Sequence, residues 1–168
     1  MTTLYLVRHG ETFDNANQIM QGQTQGMLNE NGIRQAKELC LQLADKHFDV
    51  IVSSDLNRAI QTAKIVTGLN DKDIKTTPLL RERDWGGFTG RYIPDLKGEK
   101  WPDDIESLDV LLNRANDFLN FIQDRFPNKQ VLAVGHGIIN KAIQAVYYGK
   151  QMSDIPRMSN CEIRILTL

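Results

Sequence analysis

Hydrophobic and polar positions recur along this chain with two periods, and the switches between them outline the fold. Leu4-Tyr5-Leu6-Val7, Asp49-Val50-Ile51-Val52 and Val131-Leu132-Ala133-Val134 are short apolar runs that read as buried strands. Glu162-Ile163-Arg164-Ile165-Leu166 is a last strand with partial alternation, and Lys75 to Leu79 is a weak extended segment. Between them the period lengthens to that of a helix. Ile33, Ala36, Leu39, Cys40 and Leu43 share one face of a helix that Asn29 caps. Leu56, Ala59, Ile60, Ala63 and Val66 form the inner face of the next, with Asp55 as its expected cap. Leu108, Leu111, Leu112, Ala115, Phe118, Leu119 and Ile122 predict a long amphipathic helix, and Ile138 to Tyr148 a final one. Strands alternating with helices predict an α/β fold: a three-layer α/β/α sandwich, with a mostly parallel central sheet and helices on both faces.

Two stretches interrupt this pattern. Gln21 to Gly26 is polar and flexible. Residues 84–104 hold Trp85, Gly86, Gly87, Gly90, Pro94, Gly98, Trp101 and Pro102, and read as a long loop or short irregular insert. Long loops of this kind often carry function. The chain has no internal repeat and no low-complexity segment. Its 168 residues fit one domain, 1–168, that contains this insert.

Composition mainly excludes. A net charge of −1 supplies no basic field for nucleic acid or a membrane. The N-terminus lacks the basic region and apolar stretch of a signal peptide, and no apolar run approaches the roughly 18 residues of a membrane span. Cys40 and Cys161 show no CxxC spacing, and Cys40 falls on an apolar stripe as a core residue. These features predict a cytoplasmic protein with reduced thiols; the sequence carries no signal of oligomeric state.

The candidate chemistry lies at strand ends. Arg8-His9-Gly10-Glu11-Thr12 follows the first strand, at the carboxyl rim where open α/β sheets bind ligands. An arginine fork holds two phosphate oxygens, and an imidazole attacks or shuttles a proton. Gly10, lacking a Cβ, lets the backbone turn and an anion come close. Gly135-His136-Gly137 repeats the arrangement after Val134, so both imidazoles reach one rim if both strands are central and parallel. Each histidine equally has a plain reading as a hydrogen-bonded structural residue. The third histidine, His47, reads as a surface or helix-capping residue. With no HxH or HExxH spacing and no carboxylate or thiol cluster beside the pair, no metal or cofactor is expected.

Arg58 falls in the first turn of a helix, where a cation opposes the helix dipole. That conflict is tolerable if its guanidinium points at a bound phosphate; a solvated surface arginine is the alternative. Leu80 to Gly90 sets Glu82 among cations and aromatics. A carboxylate near an apolar wall and a phosphate can serve as general acid, although spacing alone also allows a charged turn.

Taken in order, Arg8 to Thr12 with Asn15, Gln21-Gly22, Leu28 with Gly32 to Ala36, Ser53 to Ala63, Leu80-Arg81-Glu82 with Gly86 to Gly90, and Val134 to Gly137 resemble the motifs of the histidine phosphatase superfamily, the phosphoglycerate-mutase-like fold. The resemblance spans nearly the whole chain. It implies that His9 is the nucleophile and forms a phosphohistidine, that Arg8, Arg58 and His136 surround the phosphoryl group, and that Glu82 is general acid and base. It also implies a pocket lined by Asn15, Gln21, Gly22 and Gly137, with Glu11 and Thr12 in support. Arg83 matches an arginine of the mutases, and Trp85 stands where they carry tyrosine; both are expected at the substrate.

The departures bear on the activity. Gln25 and Met27 stand where the family's loop carries aspartate and proline, and Asn29 replaces a Thr or Ser cap. The stretch Arg91 to Trp101 offers only Arg91, Lys97 and Lys100, with no adjacent arginine pair. Two dianions in a closed site need more positive charge than that, and a small lid leaves water access. The expectation is therefore a phosphomonoesterase acting on a small phosphorylated substrate. The alternatives are a phosphoglycerate mutase dependent on a bisphosphoglycerate and a protein phosphohistidine phosphatase. A non-catalytic phosphate-binding domain finds no support, since every catalytic position is filled. Trp85, Phe88, Tyr92, Trp101 and Arg91 either shape the leaving-group side or pack the lid.

Overall fold

The computed structural model describes all 168 residues. Along the chain run β1 (Thr3–Arg8), α1 (Phe13–Ala16), α2 (Glu30–Gln42), β2 (Val50–Ser54), α3 (Asn57–Thr67), β3 (Lys75–Thr77), α4 (Leu108–Arg125), β4 (Gln130–Gly135), α5 (Gly137–Tyr148) and β5 (Ile163–Thr167). Only single 3₁₀ turns, at Pro78–Leu80, Gly86–Phe88 and Ile93–Leu96, lie between β3 and α4.

The five strands form one sheet in the order β3-β2-β4-β1-β5. The first four are mutually parallel, and β5 runs antiparallel against β1. Alternation along each strand sends side chains to opposite faces. Leu4, Leu6, Val52, Val131 and Ala133 pack on Leu111, Ala115, Phe118 and Ile122 of α4 and Ile139 and Ile143 of α5. Val7, Ile51, Leu132 and Val134 face the other way, onto Ala36 and Leu39 of α2 and Ala59, Ala63 and Val66 of α3. Each buried aliphatic side chain stabilises the layers by roughly 1.5–3 kcal/mol. The sheet is thereby a stiff platform, with the carboxyl ends of β1, β2 and β4 on a single edge.

Local chemistry explains where the helices begin, with one correction. Asn29 caps α2 as expected, its side chain accepting from the Gly32 N–H at 2.9 Å. Asp55 does not cap α3. The chain stays extended through Leu56 (φ −82, ψ 139), which is the residue before the helix and makes no side-chain cap. Asp55 instead takes the Arg81 fork, at 2.7 and 2.6 Å. Cys40 also departs from its expected place: it is half-buried at the margin of the α2 stripe, outside both cores. His47 lies past the end of α2 with its side chain 85% exposed, 3.5 Å from Asp49, so it caps nothing. No helix is long and apolar enough to cross a membrane.

Gly10 is required for a different reason than an approaching anion. A Cβ there would stand 2.6 Å from the Gly32 carbonyl oxygen, and a Cβ on Gly32 would stand 2.0 Å from the Glu11 carbonyl oxygen. The loop after β1 thus packs backbone to backbone on the first turn of α2. The two glycines fix the height at which His9 leaves the sheet.

Candidate active site

β1 and β4 are hydrogen-bonded neighbours with Arg8 opposite Gly135. One residue further on, each strand delivers a histidine. The rings of His9 and His136 lie 5.0 Å apart at 63°, and the His9 N–H donates to the Gly135 carbonyl at 3.1 Å. Both are buried, His9 at 3% and His136 at 0% exposed. Burial first, and the Arg58 charge second, hold both imidazoles well below their usual range, so both are neutral near pH 7.

Their partners fix which nitrogen carries the proton. His9 Nδ1 lies 2.7 Å from the Gly10 carbonyl oxygen, which can only accept. Nδ1 therefore holds the proton and Nε2 keeps its lone pair. His136 is turned the other way. Its Nε2 is 2.8 Å from Ser54 Oγ, which already accepts from the Leu56 N–H at 3.2 Å. No other acceptor faces the Ser54 hydroxyl, so its proton points to Nε2 and the ring proton sits on Nδ1. That Nδ1 has no partner.

Arg8 is 8% exposed, and its Nη1 donates to the Met158 carbonyl at 2.7 Å. Arg58 is 1% exposed. Its Nη2 donates to the Gly22 carbonyl at 2.7 Å and its Nη1 to the Thr24 carbonyl, so it ties down the stretch Gln21 to Gly26 that reads as flexible in sequence. Burial draws its pKa down to about 10, which leaves it cationic at neutral pH. Thr12 and Asn15 both donate to Gln21 Oε1, at 3.0 and 3.2 Å, and so turn the Gln21 amide nitrogen away from them. Glu82 sits at the start of α5. Its Oε1 accepts from the N–H groups of Arg83 and Ile139, at 2.9 and 3.0 Å, and its Oε2 from Ile138 at 3.1 Å.

These side chains meet at a cavity of about 380 Å³. Arg8, His9, Asn15, Gln21, Gly22, Arg58, Glu82, Trp85 and Gly137 line it, and His136, next to His9, does not. Arg83 does not reach it. Its Nε donates to the Glu106 carbonyl at 2.9 Å, and its guanidinium stacks 4.9 Å from the Trp85 ring and 5.4 Å from that of Trp101. Two lining cations escaped the sequence reading, Lys141 and Arg157. Lys141 lies one helical turn beyond Gly137, a spacing that could have flagged it. Arg157 carries no such signal, because only the path of the chain into β5 brings it to the rim.

Five buried side-chain polar atoms have no hydrogen-bond partner, and four are nitrogens of this group: Arg8 Nε, Gln21 Nε2, Arg58 Nε and His136 Nδ1. Each such orphan costs about 1–3 kcal/mol. Three of these donors belong to side chains that line the cavity, and the fourth to His136, whose ring lies 5.0 Å from that of His9; together they suit an anion with several acceptor oxygens. They do not suit a metal, and no group of three or more His, Cys, Asp or Glu side chains gathers to hold one.

Comparison with known proteins agrees with this geometry. The chain is 38% identical over 141 residues to the uncharacterized phosphatase PhoE of Bacillus subtilis (strain 168), covering 82% of this chain and 72% of that protein. It is 42% identical over 152 residues to the probable phosphoglycerate mutase GpmB of Yersinia pestis (strain Pestoides F), covering 82% and 71%. Among solved structures, the phosphoserine phosphatase of Entamoeba histolytica in complex with 3-phosphoglyceric acid superposes with a TM-score of 0.86 at 27% identity, over 98% of this chain and 90% of that one. The family model for the histidine phosphatase superfamily (branch 1) matches residues 4–168, and the chain belongs to that family.

Proposed function

We propose that this protein is a phosphomonoesterase that works through a phosphohistidine on His9. The observation that carries this reading is the set of four buried, unpartnered donors on Arg8, Gln21, Arg58 and His136 beside a neutral, unprotonated Nε2. A phosphoryl group supplies the missing acceptors, and its equatorial oxygens gain charge as the transition state forms.

In the first step His9 Nε2 attacks phosphorus and the bond to the ester oxygen breaks. Glu82 gives that oxygen a proton and the alcohol leaves. Glu82 Oε2, with a single backbone donor, keeps the lone pair that carries the proton. In the second step water attacks phosphorus, Glu82 takes the proton of the water, and the P–N bond breaks to release phosphate. Arg8, Arg58 and His136 Nδ1–H hold the phosphoryl oxygens throughout. Asn15, Gln21, Gly22 and Gly137 shape the pocket, Trp85 walls the leaving-group side, and residues 84–104 act as a reduced lid within a single domain, 1–168.

Incubation with p-nitrophenyl phosphate in EDTA, between about pH 5 and 8, tests this directly. Turnover by the wild type, acid-labile labelling by a phosphate donor, and loss of both in His9→Ala are expected. No turnover at any pH would reject the reading, and labelling that survives in His9→Ala would move the nucleophile to another residue. The similarity to a probable phosphoglycerate mutase favours a second reading, phosphoryl return to the substrate. Bisphosphate-dependent exchange between 2- and 3-phosphoglycerate, faster than hydrolysis, would put that reading first.

A further inference from the structure

Arg8 ends β1, His9 and His136 directly follow β1 and β4, and Arg58 lies in α3, but Glu82 has no such support. It stands between β3 and α4, where the chain forms only single 3₁₀ turns, so no sheet ladder fixes its height. Its carboxylate nevertheless accepts from two N–H groups in the first turn of α5, those of Ile138 and Ile139. Such groups have no acceptor inside their own helix, and His136, the residue before the helix, gives them no side-chain cap. A displacement of about 1 Å at a reacting group can cost on the order of 10² in rate. A general acid on an irregular segment therefore has to be held from outside that segment.

Arg114 of α4 and Glu106 do this. Arg114 lies on the buried face of its helix, three residues after Leu111 and four before Phe118. The side chains of the pair are only 15% and 8% exposed. All five guanidinium donors of Arg114 are used. Two go to the Glu106 carboxylate, Nε to Oε2 at 2.9 Å and Nη2 to Oε1 at 2.8 Å. The rest go to carbonyl oxygens leading up to the acid: Nη1 to Leu79 at 3.0 Å and to Arg81 at 2.6 Å, and Nη2 to Glu82 itself at 3.4 Å. Glu106 grips the residues that follow. Its Oε1 accepts from the Asp84 N–H at 3.1 Å, its own N–H donates to the Asp84 carbonyl at 2.9 Å, and its carbonyl accepts from Arg83 Nε at 2.9 Å. The pair thus brackets Glu82 on both sides while neither member lines the cavity. A buried ion pair adds little net stability over apolar residues of similar size. Stability alone does not account for a guanidinium whose five donors converge on one loop.

We infer that Arg114 and Glu106 are positioning residues for Glu82, which set its carboxylate at the first turn of α5 and at the leaving oxygen. The pair's role in the reaction, though not its contacts, rests on the phosphatase reading above.

Arg114→Lys tests this, because a lysine keeps the charge but has three donors on one nitrogen and cannot serve five acceptors. For an alkyl phosphate, whose leaving oxygen needs a proton, kcat/KM should fall by roughly 10², and for p-nitrophenyl phosphate by less than about threefold. Equal losses on the two esters would make the pair a fold element only and overturn the inference. In a Glu82→Gln background the same change should cost the alkyl ester less than about a further threefold, since the acid it positions is gone; losses that multiply overturn it. If Arg114→Lys does not fold, Glu106→Gln carries the same comparison. It keeps the shape and one oxygen, and should give the same ester selectivity with a loss of roughly tenfold on the alkyl phosphate. Amide exchange requires no turnover. In Arg114→Lys the Ile138 and Ile139 amides should exchange roughly tenfold faster or more, with the β4 amides unchanged. That result supports the positioning role even where no ester is hydrolysed, and unchanged exchange at both amides rejects it even where the phosphatase reading holds.

Discussion

At the bottom of the cavity, Arg8, His9, Arg58 and His136 are 8%, 3%, 1% and 0% exposed, while beside its mouth Tyr92, Ile93 and Trp101 are 44%, 44% and 52% exposed. The two regions are also held differently. The bottom is fixed by strand register and by side chains with assigned partners: Gly10 for His9, Ser54 for His136, Met158 for Arg8 and Gly22 for Arg58. The mouth is strapped on by backbone hydrogen bonds between two loops, Gly90 to Met20 at 2.8 Å, Met20 to Arg91 at 2.9 Å and Ile93 to Gln18 at 2.8 Å. Its aromatic rings stack on each other and on Arg83. On the proposed mechanism the reaction chemistry, which tolerates little displacement, falls where the sheet removes freedom, and selection of the leaving group falls where a loop can change without disturbing the sheet.

Four changes would break or sharpen that contrast. The largest effect is expected from Glu82→Gln assayed on two esters. An alkyl phosphate, whose leaving oxygen needs a proton, should slow by roughly 10²–10⁴, and p-nitrophenyl phosphate, whose leaving group does not, far less. Equal losses on both in kcat/KM, which reports phosphoryl transfer to His9 and not the later hydrolysis that the two esters share, would remove the acid role. Arg58→Ala comes next, with kcat/KM lower by roughly 10²–10³. That variant should also loosen Gln21 to Gly26, seen as faster amide exchange there, since the Gly22 and Thr24 carbonyls lose their donor. Trp101→Ala tests the mouth. Loss of its edge contact with Trp85, at 5.4 Å between ring centres, should change KM by up to about tenfold with kcat nearly constant. A fall in kcat as large as that for Arg58→Ala would mean the mouth also positions the reacting atoms.

The smallest effect is one of pH. His9 and His136 titrate well below about 6.5 when folded and near it when unfolded. The unfolded chain therefore binds more protons in that interval, and stability is lost as pH falls from about 6.5 through the folded pKa values. Urea denaturation midpoints from pH 7 to 5 should decline for the wild type, and less steeply for a variant with His136→Asn. An identical slope in both would mean that carboxylates elsewhere dominate the acid response.

Much of this arrangement was legible in the sequence, and the parts that were not share a cause. The apolar runs ending in His9 and His136 located β1 and β4 to within a residue or two, because a strand buried on both faces has few alternatives in composition. The antiparallel direction of β5 left no trace, since alternation is the same in either direction. Asp55 has the right residue type for a cap, yet its oxygens were claimed by Arg81, far along the chain. Arg83 matched a motif, yet the half-buried ring of Trp85, the exposed ring of Trp101 and the Glu106 carbonyl drew it away from the cavity. Gly10 was noticed as a glycine, but its partner Gly32 becomes evident only when the loop after β1 meets α2. Local signals were reliable where one segment decides its own conformation. They failed wherever a distant segment competed for the same atoms.

The sheet order has a last consequence, for the time at which the site comes into being. β1 and β2 do not touch; β4 lies between them and pairs with both. During synthesis the first strand, which ends in Arg8, and the second, which leads to Arg58 in α3, wait as separate edges until residues late in the chain emerge and slot between them. Pairings between segments so far apart in sequence are slow to form. Phosphoester turnover would therefore appear only in chains whose central strand has been inserted, and its onset during refolding would time that insertion.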